Sequence, residues 1–330
     1  MSDLSREDDL IARYFAPLAG PAGLGLRDDA ALLAPPAGCD LVVTMDALVE
    51  SVHFFTEDSP DSVAKKALRV NLSDLAAKGA EPLGFLLALS LPASFQDEAL
   101  AAFARGLGED ARTYGCPLIG GDTVFTPGPL SIAITAFGEI ASGRMVLRTR
   151  ARPGDRIYVS GTIGDAALGL RLRQGSNGLD QRSLSEQTRA HLLTRYLLPQ
   201  PRMGLRAALV QHAHAAMDVS DGLVGDLSKM LRVSGVTARI DLSCTPLSAA
   251  ARAYIGDNAE LFEAALTGGD DYEILACVPA DRARAFEGQA AEAGIAVACI
   301  GEALAGLEPP VFQDANGEAR IFARPSFSHF

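Results

Sequence analysis

Six aspartates, each beside an apolar segment and a small residue, constrain this chain more than any other feature. They are Asp29, Asp46, Asp74, Asp122, Asp218 and Asp221. Their contexts, such as Gly120-Gly121-Asp122-Thr123, predict short turns rich in Gly, Ser and Thr at the ends of strands and helices. Carboxylates in such turns are well placed to hold Mg²⁺, which prefers oxygen ligands. If the turns converge, they form a site for several Mg²⁺ ions and nucleotide phosphates, which indicates phosphoryl transfer.

Each of these aspartates also has an ordinary structural interpretation. Asp221 fits the N-cap of a helix that begins at Leu223, and Asp122 fits a solvated position in a strand-to-loop turn. Asp46 and Asp74 fit turns or caps as well. The metal interpretation therefore depends on all six occurring together, each next to an apolar element.

Strand and helix patterns alternate along the chain and predict a mixed α+β protein with two α/β halves. The expected strands cover residues 40–46, 84–91, 116–119, 130–139, 156–160 and 274–278, and the expected helices cover 62–78, 97–114, 162–172, 188–196 and 223–233. A capping box at Ser5-Arg6-Glu7-Asp8 predicts one more short helix, and the tail from Gly306 onward predicts a hairpin. The charged, turn-rich segment 148–155 separates an N-terminal domain, residues 1–148, from a C-terminal domain, residues 149–330.

Composition narrows the function classes. The net charge of −12 argues against a protein that binds nucleic-acid backbones. The five cysteines are widely spaced and contain no Cys-x-x-Cys pair, which favours reduced thiols in the cytosol over zinc or disulfides. The acidic N-terminus lacks the apolar core of a secretory signal, and the most apolar stretch, 83–91, is too short to span a bilayer. We therefore expect a cytoplasmic protein that binds neither membranes nor nucleic acid.

Phosphate and ligand contacts must come from less familiar motifs, because the P-loop, the dinucleotide fingerprint and the protein-kinase signatures are absent. Ser220 and neighbouring amides at a helix N-terminus suit phosphate oxygens, and Arg148 suits a bidentate phosphate contact. His53 taken alone is more often structural. The segment Gly268-Gly269-Asp270-Asp271-Tyr272-Glu273 fits either a pocket lining or a tight turn, and Phe327 in the aromatic tail could stack on a planar ligand.

Taken in order, these residues resemble the thiamine-monophosphate kinase family of the aminoimidazole ribonucleotide synthetase-like superfamily. The segments that carry the resemblance are Asp28-Asp29-Ala30-Ala31, Thr44-Met45-Asp46, His53-Phe54, Asn71-Leu72-Ser73-Asp74, Gly120-Gly121-Asp122-Thr123, Met217-Asp218-Val219-Ser220-Asp221-Gly222-Leu223 and Gly268-Gly269-Asp270-Asp271-Tyr272-Glu273. The resemblance covers nearly the whole chain. It implies ATP-dependent phosphorylation of thiamine monophosphate to thiamine diphosphate, by direct in-line transfer of the γ-phosphate.

The resemblance also implies an architecture and a set of site residues. The N-terminal sheet would form a barrel across a homodimer, and the C-terminal α/β domain would complete the active site. The implied Mg²⁺ ligands are Asp29, Thr44, Met45 through its backbone carbonyl, Asp46, Asp74, Asp122, Asp218 and Asp221, among which Asp46, Asp74, Asp122 and Asp221 are the implied catalytic residues. The implied ATP contacts are Gly121, Asp122, Arg148 and Ser220, and the implied thiamine-monophosphate contacts are His53, Asp270 and Phe327.

The chain departs from the family pattern mainly near the expected acceptor pocket. Arg27 replaces a usual Gly, Asp270 a usual Glu, Thr149-Arg150 a usual Ser-Gly, and Ser326-Phe327-Ser328-His329-Phe330 a usual Gly-aromatic-Asp-His-Phe. Two alternatives therefore stay open. One is another ATP-dependent enzyme of the superfamily with a different phosphorylated acceptor, such as a formylglycinamidine ribonucleotide. The other is a non-catalytic domain that binds divalent ions, which would melt in a Mg²⁺-dependent way without turning over ATP.

Overall fold

The computed structural model describes residues 9–175 and 184–327, which form two compact units. The first unit contains the described residues up to Leu75 together with Ala80–Gly143, and the second contains Ala76–Gly79 and the described residues from Arg144 onward. Within the second unit, Ala76 and Ala77 pack into a hydrophobic core, and Lys78 Nζ donates a hydrogen bond to the Ala216 carbonyl at 2.8 Å. The capping box predicted at residues 5–8 lies outside the described residues.

The first unit contains a mixed four-stranded sheet and two long helices. In chain order its elements are β1 (Cys39–Val49), α1 (Pro60–Lys78), β2 (Glu81–Pro92), α2 (Asp97–Thr113), β3 (Leu118–Thr126) and β4 (Ser131–Ala141). The strand order is β1-β4-β2-β3, so that β1 and β3 are the two edges. β1 and β2 run antiparallel to β4, and β3 runs parallel to β2.

Only one face of this sheet is packed into a core. Residues of β4 alternate between buried and half-buried, with Ile132 and Ile134 on the buried face. Helix α1 buries Val63, Ala67 and Val70. The opposite face of β1 is apolar but exposed.

The second unit is built on a seven-stranded sheet in the order β11-β10-β7-β9-β5-β8-β6. Its strands are β5 (Asp155–Ser160), β6 (Ala215–Val219), β7 (Thr237–Asp241), β8 (Glu273–Pro279), β9 (Val297–Leu304), β10 (Val311–Gln313) and β11 (Ala319–Arg320). Its helices are α3 (Asp165–Gln174), α4 (Glu186–Leu197), α5 (Arg206–His212), α6 (Leu223–Ser234), α7 (Ala249–Ile255), α8 (Ala259–Thr267) and α9 (Ala283–Glu292).

Strands β5, β8 and β6 of this sheet are buried on both faces along most of their length. Every residue of β8 from Glu273 to Val278 is buried. Leu275 and Cys277 pack into the core shared with α6, whereas Ile274 and Ala276 pack into the core shared with α5 and α9. This placement explains why the strand is a continuous apolar run rather than an alternating one.

The structure confirms most predicted elements and corrects one assumption about the aspartates. Asp46 lies inside β1, Asp74 inside α1, Asp122 inside β3 and Asp218 inside β6, so four of the six are not in turns. The glycines before Asp122 suggested a turn, but a Cβ on Gly121 would lie 2.0 Å from the Leu87 carbonyl oxygen. Glycine therefore lets the strand continue close to β2.

The helix expected at 223–233 and the C-terminal hairpin are both present. Among the described helices, none combines the length and the apolar composition needed to cross a membrane.

Candidate functional site

Strand β1 and helix α1 bring three of the predicted metal ligands to one corner of the first unit. Thr44 and Asp46 are two residues apart on β1, so their side chains lie on the same face of the strand. The Thr44 hydroxyl donates a hydrogen bond to Asp74 Oδ2, and the Asp46 amide donates to Asn71 Oδ1 at 3.0 Å. Asn71 and Asp74 lie one turn apart on α1, which matches the spacing along the strand.

Asn71 is a buried polar residue at this corner that the motif pattern did not single out as a site residue. Its side chain is fully buried, accepts from the Asp46 amide and donates to the Ala67 carbonyl at 3.0 Å. It therefore fixes β1 against α1 at the level of the carboxylates. The available signal was its spacing of three residues from Asp74 within the quoted motif.

Four further predicted residues line a cavity of about 960 Å³ in the first unit, on the exposed side of the sheet. Asp29 and Asp122 both line it, together with Gly121. Met45 also lines this cavity, because its side chain lies on the opposite face of β1 from Thr44 and Asp46. A metal contact from Met45 would thus come from its backbone, as the family resemblance implies.

His53 lies in the turn that follows β1. Its Nδ1 accepts a hydrogen bond from the Val49 amide at 3.0 Å, so the neutral ring carries its proton on Nε2. Lys66 Nζ donates to the His53 carbonyl at 3.0 Å and so ties the turn to α1. The ring is thus held in one orientation with a donor nitrogen at its far end.

In the second unit, Asp221 lies between β6 and α6 but does not cap the helix. The N-cap is Gly222, and no side chain caps this terminus. The interpretation of Asp221 as an N-cap was therefore wrong. Instead, the Asp221 amide donates to Asp226 Oδ2 at 2.8 Å, one turn into the helix.

A lysine next to Asp221 was not predicted. Lys229 Nζ lies 2.6 Å from Asp221 Oδ2 and 3.0 Å from Asp226 Oδ1. Burial raises the pKa of Asp226 above its usual range, although the Asp221 amide and Lys229 favour the ionised form. For Lys229, burial alone would lower the pKa, but contact with the two carboxylates raises it overall. The Lys229 ammonium group thus places a positive charge beside the Asp221 carboxylate, where it suits the binding of anions.

The segment that contains Asp270 runs directly beside the loop that contains Ser220. The Asp270 amide donates to the Ser220 carbonyl and the Tyr272 amide to the Val219 carbonyl, both at 2.8 Å. Asp270 and Tyr272 have φ angles of 74° and 52°, in the left-handed region that residues other than glycine rarely occupy. Such strain is retained where surrounding contacts enforce it, often at functional sites.

Two buried carboxyl groups hold this strained segment in place. Asp271 accepts from the Gly164 amide at 2.6 Å, and its burial raises its pKa to about 8. Glu273 is completely buried, accepts from Ser160 Oγ at 2.6 Å and forms an ion pair with Arg195 at 2.9 Å. The sequence did not reveal this network, because its members are far apart along the chain.

Phe327 lies near the same loop. Its amide donates to the Asp221 carbonyl at 3.0 Å, and its half-exposed ring lines a groove of about 560 Å³ together with Gly268 and Gly269. The structure therefore brings together Phe327, the loop containing Asp221 and the segment leading to Asp270.

Asp218 and Arg148 are the two remaining predicted residues of the second unit. Asp218 is buried on β6, where it pairs with Ile274 of β8. Arg148 lies outside the regular elements and is exposed, and its carbonyl accepts from Ser234 Oγ at 3.0 Å.

The donor set fits magnesium. The candidate ligands offer only oxygen atoms, and magnesium usually combines a few carboxylates with water and substrate phosphates. Neither unit, within its described residues, gathers three acidic, histidine or cysteine side chains into a closed metal cage. An open set of oxygens with phosphate completing the coordination is therefore the arrangement these residues suit.

Comparison with known proteins defines first the class and then the family. Residues 27–140 match the N-terminal domain of AIR synthase related proteins, and residues 152–311 match the C-terminal domain. A curated thiamine-monophosphate kinase from Caulobacter vibrioides is 46% identical over 91% of this chain and 84% of its own length. Another, from Salmonella typhimurium, is 41% identical over 98% of both chains. The chain therefore belongs to the thiamine-monophosphate kinase family of the AIR synthase related proteins.

Solved structures support the same family assignment. The thiamine-monophosphate kinase from Stenotrophomonas maltophilia K279a is 40% identical, with a TM-score of 0.82 over 97% of this chain and 98% of its own. AaThiL complexed with AMPPCP and TMP is 29% identical, with a TM-score of 0.78 over the whole of both chains. The family and the two-domain fold of mixed α/β content, both expected from the motifs, are confirmed.

Proposed function

We propose that this protein transfers the γ-phosphate of ATP to thiamine monophosphate, forming thiamine diphosphate and ADP. The observation that carries the proposal is the likeness, over the whole chain, to AaThiL complexed with AMPPCP and TMP, which pairs an ATP analogue with the acceptor. The same proposal places the enzyme in the cytoplasm, where ATP is supplied.

The transfer reaction has little need of a general base. An oxygen of the acceptor phosphate forms the new bond to the γ-phosphorus, and the bond from that phosphorus to the β,γ-bridging oxygen breaks. The acceptor phosphate is largely ionised near neutral pH, so no proton must be removed. The protein must align the two anionic substrates and stabilise the negative charge on the phosphoryl group during its transfer.

The proposed metal ligands are the oxygen donors of both units: Asp29, Thr44, the Met45 carbonyl, Asp46, Asp74, Asp122, Asp218 and Asp221. Magnesium held by them would offset the repulsion between the two phosphorylated substrates. Asn71 orients the strand that contains Asp46, and Lys229 provides a fixed positive charge beside Asp221. Asp46, Asp74, Asp122 and Asp221 are the proposed catalytic residues.

The substrate contacts divide by chemistry. The proposed ATP contacts combine a glycine that lets the backbone approach the ligand, a guanidinium group and a hydroxyl. They are Gly121, Asp122, Arg148 and Ser220. Asp270 suits the cationic thiazolium ring, and Phe327 offers that ring a cation–π face. His53 is the third proposed contact to thiamine monophosphate, and its Nε2–H group is the hydrogen-bond donor. In this proposal residues 1–148 bind ATP and magnesium and form the dimer, and residues 149–330 complete the active site.

The reaction can be tested directly. Purified protein is mixed with ATP, Mg²⁺ and thiamine monophosphate, and thiamine diphosphate is measured by chromatography, with free thiamine as the control acceptor. Diphosphate formed only from the monophosphate supports the proposal. Absence of product while ATP still binds would contradict it and favour a different phosphorylated acceptor.

The proposal includes a homodimer whose two N-terminal sheets form a barrel. The exposed face of edge strand β1 bears Val43 (53% exposed) and Met45 (62%), and edge strand β3 bears Phe125 (71%). Exposed apolar faces on sheet edges are typical of association surfaces.

We expect Val43→Asp to convert a dimer into monomers, because a carboxylate buried at an apolar interface costs several kcal/mol, on the order of 2–5. Ile321→Asp is the matched control, since Ile321 is 91% exposed and lies in the other unit. Analytical ultracentrifugation measures the change. A monomeric parent protein, or a Val43→Asp variant that stays dimeric, would contradict the barrel.

A further inference from the structure

The last described residues of the chain, 324–327, form a strap that lies over the start of helix α6. The Phe327 amide donates to the Asp221 carbonyl at 3.0 Å, and Ser326 Oγ reaches the same oxygen at 3.5 Å. Ser326 Oγ also lies 2.9 Å from the Phe327 carbonyl, which stiffens the strap locally. The strap is thus fastened to the loop that contains Ser220 and Asp221.

Gly225, in the first turn of α6, makes this seating possible. A Cβ at that position would lie 2.4 Å from Ser326 Cβ, 2.8 Å from Ser326 Oγ and 3.0 Å from the Pro325 carbonyl oxygen. Contacts below 3.0 Å force a displacement. Nothing in the conformation of the helix itself requires glycine here, because no left-handed φ occurs at Gly225.

A second helical glycine shows that this crowding is specific. At Gly288, in α9, a Cβ would meet no heavy atom within 4 Å. An alanine there gains helix propensity without any steric cost. Of these two positions, an added methyl group would therefore meet the strap at Gly225 and no heavy atom within 4 Å at Gly288.

We propose that Gly225 is a positioning residue for the acceptor. Its missing side chain lets the strap seat on α6, and this seating holds the Phe327 ring at the groove that Gly268 and Gly269 also line. The identity of the acceptor rests on the proposed function, whereas the seating of the strap does not. Displacing the strap moves the ring away from the segment that contains Asp270.

A tryptophan reporter tests the seating without any substrate. The chain contains no tryptophan, so Phe327→Trp creates a single fluorophore at the ring itself. In that background Gly225→Ala is expected to shift the emission to longer wavelength and to increase quenching by acrylamide, because the ring leaves its contacts. Adding Ser326→Gly removes both of the nearest clashing atoms and should restore the parent spectrum, and Gly288→Ala should leave it unchanged.

Kinetics test the consequence. Without the reporter, Gly225→Ala should raise KM for thiamine monophosphate roughly 2- to 30-fold, the range for a lost cation–π contact, while KM for ATP stays unchanged. Ser326→Gly should again reverse the effect. If the alanine variant does not fold, as judged by circular dichroism, Ser326→Val pushes the strap in the same way and leaves the helix intact.

The outcomes separate this proposal from the proposed function. Unchanged emission and quenching in the Gly225→Ala reporter protein would overturn the seating, and so would an effect that Ser326→Gly fails to reverse. A spectral change together with an unaltered KM would overturn the positioning role. A spectral change in a protein that never phosphorylates thiamine monophosphate would contradict the proposed function and leave the seating intact.

Discussion

Asp46→Asn is expected to lower turnover by at least about 100-fold while the protein stays folded. Asparagine keeps the shape of the side chain but removes the anionic oxygen that a magnesium ion requires. The local structure should survive, because the bond from residue 46 to Asn71 comes from the backbone amide. Asp74→Asn should behave in the same way, since its amide oxygen can still accept from the Thr44 hydroxyl.

The measurement is kcat at saturating Mg²⁺, with thermal unfolding by circular dichroism as the folding check. Asp40→Asn is the matched control on the same strand. Asp40 is exposed and accepts from Ser142 Oγ and the Gly143 amide, both at 2.8 Å. We expect the control to retain its turnover. Near-normal turnover of Asp46→Asn or Asp74→Asn would contradict the metal assignment.

Glu273→Gln is expected to destabilise the second unit by about 3–5 kcal/mol, the usual cost of breaking a buried ion pair. Glu273 is fully buried and accepts from Arg202 Nε at 2.6 Å as well as pairing with Arg195. Arg195 is only 5% exposed, and two of its nitrogens have no hydrogen-bond partner among the described residues. Removing the carboxylate therefore leaves the buried Arg195 guanidinium without its ion-pair partner.

Urea unfolding measures the loss, and Glu302→Gln on β9 is the control because Glu302 is exposed. We expect the control to change the free energy of unfolding by less than about 0.5 kcal/mol. A change below about 1 kcal/mol for Glu273→Gln would show that the buried arginines are compensated by other groups.

Local patterns in the sequence determined the regular elements and the family. The apolar spacing of residues 62–78 predicts α1, and the apolar run ending at Asp46 predicts β1, because helices and strands impose different side-chain periods. The motifs around Asp74 and Asp218 indicated the superfamily. His53, the segment 268–273 and the aromatic tail then indicated the thiamine-monophosphate kinase family, which the comparisons confirm.

Tertiary structure alone decided which groups meet. Gly120-Gly121 reads locally as a turn, yet packing against β2 extends it into a strand. Asp221 contacts Lys229 and the strap, and Glu273 forms an ion pair with Arg195. These contacts join residues that are 8 to 106 positions apart along the chain. Pattern and propensity act over a few residues, whereas these contacts depend on how whole elements pack. For that reason the sequence identified the carboxylates, and the fold determined what surrounds them.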